Sequence, residues 1–183
     1  MRVITGSARG KRLTTLEGDA VRPTPDRVKE ALFSIVQFQI EGRRVLDLFA
    51  GSGQLGIEAL SRGAKQAVFV DSGKRSIEVV LKNLETTELM ENAKVNNMDF
   101  ASFLLQNREL FDLALLDPPY RTGLLQRALP MVSAVMNTGG TIICEHPTDE
   151  ELPEQAGDFV KANTYRYGKI MLTLYKHKDV TDE

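Results

Sequence analysis

One cysteine in 183 residues removes any intramolecular disulfide and any cysteine-cluster metal site. That residue, Cys144, sits in the apolar run Thr141-Ile142-Ile143-Cys144, where a buried, inert thiol is expected rather than a nucleophile. No apolar run reaches membrane-spanning length, and the opening Met1-Arg2-Val3-Ile4-Thr5-Gly6 has no apolar signal core, so a cytoplasmic protein without a membrane partner is expected. Internal repeats, low-complexity tracts and linkers are missing too, which favours one domain over residues 1–183. A formal charge of −2 argues against a protein that coats nucleic acid through bulk charge. Histidine is scarce. His146, before Pro147, has no visible metal or triad partner and reads as a structural or rim residue, while His177 reads as solvated. Nothing has metal-ligand spacing, so no metal is expected.

What is present is unevenly placed. Up to Arg44 there are nine Lys/Arg against five acids, a balance of +4 that leaves −6 for the rest. A basic arm on an acidic body fits a local phosphate contact, with Arg2, Arg9, Lys11, Arg12 and Arg22 as candidate RNA-binding residues; an ordinary solvated surface explains the charge equally well. Hydrophobic content of 42% and charged content of 26% are those of a globular chain with a sizeable core.

Residues 2–16 read as a short hairpin, and 1–23 as a basic N-terminal arm. Thr24, as a hydroxyl N-cap with Pro25 at the first helical position, starts an amphipathic helix over 25–39 carrying Val28, Ala31, Leu32, Ile35 and Val36. Strands are expected at 44–48, 67–71, 93–97, 112–116 and 140–145, and helices at 53–62, 74–88, 99–106 and 122–136. Such alternation with apolar strands specifies an α/β, Rossmann-like, mostly parallel sheet covered on both faces. Residues 158–166 and 169–176 around Gly168 form a closing antiparallel pair, so the core runs over 24–177 with a fraying tail at 178–183.

Two segments carry chemistry. The first, Val45-Leu46-Asp47-Leu48-Phe49-Ala50-Gly51-Ser52-Gly53-Gln54-Leu55-Gly56, is a strand running into a glycine-rich turn that opens a helix. Glycine permits the sharp turn and close ligand approach, and the helix start presents free N–H groups. Asp71, ending the next strand with Ser72 beside it, can accept from both ribose hydroxyls. A dinucleotide would fit this much. Asp47 argues otherwise: a carboxylate repels pyrophosphate but suits the sulfonium and ammonium of S-adenosylmethionine. Candidate cofactor contacts are Asp47, Phe49, Ala50, Gly51, Ser52, Gly53, Asp71, Ser72, Met98, Asp99 and Phe100. Asp99 can accept from an adenine amine, or it can simply cap a helix.

The second is Leu115-Leu116-Asp117-Pro118-Pro119-Tyr120. Two prolines stiffen the tip and leave the Pro118 carbonyl exposed. The amine of a nucleobase is a poor nucleophile because its lone pair is delocalised. The Asp117 carboxylate and Pro118 carbonyl can bind both amine hydrogens, position the nitrogen and localise that pair. Tyr120 offers a face for an extruded base. Asp117 can also orient the cofactor ammonium. The reading requires the first and fourth strands to be neighbours at the switch in strand order, as in a doubly wound sheet.

Over almost its whole length the chain resembles the bacterial RsmD-type small-subunit ribosomal RNA guanine-N2 methyltransferases. The segments that carry this are Met1–Gly6 with Gly10-Lys11-Arg12-Leu13, the stretch from Arg22 to Phe33, Asp47–Gly53 with Leu55–Ala64, and Asp117–Tyr120. The resemblance implies a class I methyltransferase fold of seven strands with the last antiparallel. It also implies S-adenosylmethionine as donor, S-adenosylhomocysteine as product, and a guanine N2 of 16S rRNA, free or in the assembling small subunit, as target. It places Arg22 and Thr24 at the methionine end of the cofactor or the active-site rim. A monomer is expected, because the sheet is covered by its own helices. Within Tyr165-Arg166-Tyr167-Gly168-Lys169, Lys169-Ile170 replaces the acidic-threonine pair usual in the family. Adenine-N6 methylation and a cofactor-binding RNA chaperone are the competing readings.

Overall fold

Alternate residues of each apolar strand face opposite sides of a sheet, and each side needs its own cover. The computed structural model, described over residues 1–17 and 24–180, meets that demand with helices on both faces. Its elements are α1 (Asp26–Ile35), β1 (Arg44–Asp47), α2 (Gln54–Ser61), β2 (Gln66–Asp71), α3 (Lys74–Thr87), β3 (Ala93–Asn97), α4 (Phe100–Gln106), β4 (Phe111–Leu116), α5 (Leu124–Ser133), β5 (Met136–Pro147), β6 (Gln155–Ala156), β7 (Phe159–Tyr167) and β8 (Ile170–His177). They form one sheet of order β3-β2-β1-β4-β5-β8-β7-β6. Strands β1 to β5 are parallel, and β8 inserts antiparallel between β5 and β7. This is the class I methyltransferase fold. The expected seven strands are joined by an eighth, the two-residue edge strand β6.

Val45, Ala67, Phe69, Leu113, Leu115, Ile143 and Leu174 pack against α1, α2 and α3. Their neighbours Leu46, Val68, Val70, Ala114, Leu116, Ile142 and Cys144 pack against α4 and α5. Cys144 is the buried thiol expected, its pKa driven up by burial.

Several boundaries differ from the sequence reading. The helix expected over 25–39 stops at Ile35 and tightens into a 3₁₀ turn, Gln37–Gln39. Thr24 does not cap it: Pro25 is the N-cap and no side chain bonds the first turn. The helix expected over 122–136 ends at Ser133, and β5 already begins at Met136. His177 is half-buried, edge-on to Phe159 at 5.5 Å rather than fully solvated.

The N-terminal hairpin is held around the Arg2–Arg12 pair by backbone bonds from Val3 N–H to the Lys11 carbonyl, Leu13 N–H to the Met1 carbonyl and Gly10 N–H to the Val3 carbonyl, each 2.9 Å, and by side chains beneath it. Val3, Ala8 and Leu13 enter the core, and the hairpin covers α2, every residue of which is buried. Glu58 of α2 makes this possible. Its carboxylate accepts from the N–H groups of Ile4 (2.8 Å) and Thr5 (3.0 Å) and from Arg62 Nε (3.0 Å). It also pairs with Lys29 Nζ at 3.4 Å, both side chains being fully buried. Lys29 in turn donates to the Arg2 carbonyl at 2.9 Å, so one ion pair fastens the hairpin to α1 and α2. Arg22, expected near the cofactor and RNA, and the end of the tail at 181–183 lie outside the described residues.

Candidate active site

The strand order reverses between β1 and β4, so the chain departs in opposite directions from two adjacent strand ends. Asp47 pairs with Leu115 in register, and Asp117 lies just beyond on the neighbouring strand. A cleft of about 840 Å³ opens there. Its wall includes Asp47, Phe49, Ala50, Gly51, Ser52, Asp71, Ser72, Met98, Asp99 and Phe100 together with Asp117, Pro118 and Tyr120. The glycine loop and the Asp-Pro-Pro-Tyr tip therefore share one cavity.

The loop geometry follows from its glycines. Gly51 and Gly53 have φ of 57° and 82°, in the left-handed region. A Cβ on Gly51 would meet only Leu16 Cδ1 at 3.9 Å, itself a cleft-wall atom. Gly53 is not in the wall. It is the N-cap of α2, and a Cβ there would meet Val80 and Phe69. Gly56 lets α2 sit on β2, since a Cβ there would fall 2.4 Å from Phe69 Cε1.

Two carboxylates organise the loop. Asp71 accepts from the N–H groups of Gly51 at 2.9 Å and Gly73 at 2.8 Å, one on each oxygen. Asp47 is almost fully buried and accepts from Gly56 N–H at 2.9 Å. Burial pushes its pKa up to about 7, with Asp71's charge adding to the rise and the Gly56 bond opposing it. Asp99 caps α4, accepting from Ser102 N–H (3.0 Å) and Oγ (2.6 Å), and it also stands in the cleft wall. Those bonds hold its pKa low. Phe49 and Phe100 meet at 5.5 Å, and Arg127 lies over the Phe100 ring at 5.2 Å.

At the tip, Thr24 Oγ1 lies 2.9 Å from Glu145 Oε2 and 3.2 Å from Asp117 Oδ2. Tyr120 Oη donates to Glu145 Oε1 at 3.2 Å. Burial raises Asp117 well above the usual carboxylate range, and the adjacent charge of Glu145 raises it further. Burial raises Glu145 too, against the bonds from Thr24 and Tyr120. One hydroxyl proton cannot be donated to both carboxylates at once, and burial favours the protonated form of each.

Glu145, Gln54 and Arg127 were not singled out by sequence. Glu145 sits inside an apolar strand with no flanking motif, and only strand adjacency brings it to the tip. Gln54 lines the cleft, and its Oε1 is buried without a hydrogen-bond partner among the described residues. His146 is structural as expected: its ring nitrogens contact the Pro147 carbonyl (3.0 Å) and Thr173 Oγ1 (2.7 Å). Among the described residues no group of three His, Cys, Asp or Glu is placed to hold a metal ion.

The basic residues of the hairpin are exposed, but they are not part of the cleft wall. Ser7 and Ala8 bond to Ser61 at the last residue of α2, and Lys11 Nζ reaches the Thr86 carbonyl near the end of α3. Both helices begin at the cleft side, so Arg9 and Lys11 stand toward the opposite end of the sheet. Met1, Thr15 and Leu16, at the hairpin's base, do line the cleft.

A family described as conserved hypothetical protein 95 matches residues 1–176. The chain is 42% identical over 135 residues to "Ribosomal RNA small subunit methyltransferase D" of Haemophilus influenzae, covering 72% of this chain and 70% of that one. It is 32% identical over 180 residues to the protein of the same name from Escherichia coli K12, covering 97% and 90%. The solved structure of a hypothetical protein of Thermus thermophilus superposes with a TM-score of 0.82 at 31% identity, covering 96% of this chain and 99% of that one.

Proposed function

The chain belongs to the conserved hypothetical protein 95 family, the RsmD-type bacterial methyltransferases, and from that premise we propose that it methylates the exocyclic N2 amine of a guanine in small-subunit ribosomal RNA, using S-adenosylmethionine. The carrying observation is that a cation-seeking loop and an amine-positioning tip open into one cleft from neighbouring strands. Asp47, Asp71, Asp117 and Glu145 all line it. That concentration of carboxylates, with Asp47 buried and Gln54 Oε1 unpartnered, suits a ligand bearing an ammonium and a sulfonium. The residues present therefore fit S-adenosylmethionine.

Asp47 would face its cationic end, Asp71 its ribose, and Met98, Asp99 and Phe100 its adenine. When bound, the group supplies an already activated methyl. Asp117 and the Pro118 carbonyl hold the two amine hydrogens and aim the nitrogen lone pair at the methyl carbon. Tyr120, tethered through Glu145, presents its ring to the target base. The proton that leaves the nitrogen passes to the Asp117–Glu145 pair, where burial of both and the charge of Glu145 beside Asp117 favour protonation. In this reading the protein acts as a cytoplasmic monomer of one domain; no helix among the described residues is long and apolar enough to cross a membrane.

The test is transfer of a tritiated methyl group to small-subunit rRNA, or to small subunits, from cells lacking the protein. Digestion should return the label in N2-methylguanosine. Label in N6-methyladenosine would replace the guanine reading with the adenine one.

A further inference from the structure

Arg9 and Lys11, near the tip of the basic hairpin, stand toward the end of the sheet away from the strand ends that build the cleft. The opposite holds for the turn between β7 and β8. Ile170, the first residue of β8, pairs with Pro147, two residues past Glu145 on β5. The Thr148 N–H donates to the Lys169 carbonyl at 3.3 Å. Two strand residues span about 7 Å, so this turn adjoins the reaction end of the cleft.

Three cationic residues belong to this corner. Gly168 takes φ of 63°, and a Cβ built on it would lie 3.4 Å from Arg27 Nη2. Arg166 folds over the same glycine and donates from Nε to its carbonyl at 2.9 Å. Lys169 follows directly. Arg27 enters from the first turn of α1, three residues after Thr24, which bridges the catalytic carboxylates. All three are exposed, and among the described residues none is in an ion pair. Of the carboxylates nearest in sequence, Asp26 and Glu30 on α1 form no ion pair with the three, and Asp149 in the following loop is held by Arg121 at 3.1 Å. Half-buried Tyr165 and Tyr167 underlie the corner and pack on the α1 side of the core. Like charges carried on one turn without carboxylate partners repel each other, and an anion relieves that repulsion.

We propose that Arg27, Arg166 and Lys169 form a phosphodiester-binding corner that holds the RNA backbone beside the nucleotide whose base enters the cleft. The corner rests on the RNA-methylation reading above. It assigns the registering contact to the β7–β8 turn rather than to Arg9, Lys11 and Arg12 of the hairpin. The turn's departure from the family pattern then has a physical sense: Lys169 supplies a third positive charge.

The experiment measures binding of deproteinised small-subunit rRNA across about 50 to 300 mM KCl, with a phosphate contact on a single strand worth roughly 0.7 in the log–log salt slope. The triple variant Arg27→Ala, Arg166→Ala, Lys169→Ala should bind at least tenfold more weakly at low salt, and its slope should fall by about two. Its KM for rRNA should rise far more than its kcat falls. Lys169→Glu alone should show the same trend, and it answers the question if the triple variant unfolds. Wild-type affinity and slope in both variants would overturn the corner, as would a slope lost only in an Arg9→Ala, Lys11→Ala, Arg12→Ala variant. A wild-type protein that neither binds nor methylates this RNA or small subunits from cells lacking the protein would overturn the functional reading itself, which separates the two failures; where only subunits are bound, the same variants are compared on subunits.

Discussion

Thr24 and Glu145, 121 residues apart in the chain, meet at 2.9 Å, and the same Thr24 hydroxyl lies 3.2 Å from Asp117. A residue whose neighbours predict a helix cap instead sits between buried Glu145 and half-buried Asp117. Its hydroxyl favours their charged forms and opposes the rise that burial imposes. Thr24→Val keeps the shape and removes that donor. The acidic limb of the kcat–pH profile should therefore move to higher pH, because both carboxylates then hold their protons more tightly. An unmoved limb would mean that the pair does not titrate in turnover.

Asp117→Ala removes one of the two acceptors for the target amine. Loss of a preorganised hydrogen-bonding group in an active site costs about 10²–10³ in kcat. Turnover should fall by at least that much, with rRNA affinity, measured by filter binding, nearly intact. Retained methylation would remove Asp117 from the chemistry.

Asp47 carries the clearest pH signature. Its folded pKa of about 7 stands above the ordinary carboxylate value, so ionising it costs stability as pH rises from about 4 toward 7. A cationic ligand reverses that cost by favouring the ionised form, so binding near neutrality releases a proton. S-adenosylmethionine affinity should tighten from pH 6 to 8, by up to about tenfold per unit below the pKa. Asp47→Asn keeps an acceptor for Gly56 N–H but should flatten the dependence, as read by calorimetry.

Breaking the buried Lys29–Glu58 pair from one side should be costly. Removing one partner of a buried ion pair costs about 3–5 kcal/mol, because the other charge is left desolvated. Glu58→Gln should lower the thermal midpoint and speed hydrogen exchange at whichever of the Ile4 and Thr5 amides faces the new amide nitrogen, since glutamine keeps one of the two acceptor oxygens. Slow exchange at those amides would show that the hairpin is held by its apolar residues alone.

Gly56→Ala drives a methyl group into Phe69, whose Cε1 lies 2.4 Å from the Cβ position. Overpacking of this kind costs about 1–3 kcal/mol. Because Gly56 N–H also donates to Asp47, cofactor affinity should fall along with stability. A substitution neutral in both would show that α2 can lift from β2 freely.

Local pattern determined a good deal. Apolar strands at regular intervals, each followed by a helical stretch, specify a parallel sheet covered on both sides, and the structure has it. The glycine loop and Asp117–Tyr120 were legible because their chemistry is written in consecutive residues. Their meeting was legible too, since a doubly wound sheet makes the first and fourth strands neighbours. Element ends were less so: α1 tightens at Val36 and α5 yields early to β5, where packing on the sheet overrides periodicity.

Tertiary structure alone decided the rest, because those features depend on contacts between residues far apart in the chain. Glu145 is one polar residue in an apolar strand, and nothing beside it announces a partner. It becomes part of the site because β5 lies next to β4 and because Thr24 is carried over both strand ends. Lys29 and Glu58 look like surface charges on two amphipathic helices until the hairpin closes over them. The arm's basic residues have an obvious composition but no address, and folding sets Arg9 and Lys11 away from the cleft while gathering Arg27, Arg166 and Lys169 beside it. Sequence fixes which groups exist and how each segment bends; only the packed sheet sets which charges lose water, and which of them must then find each other.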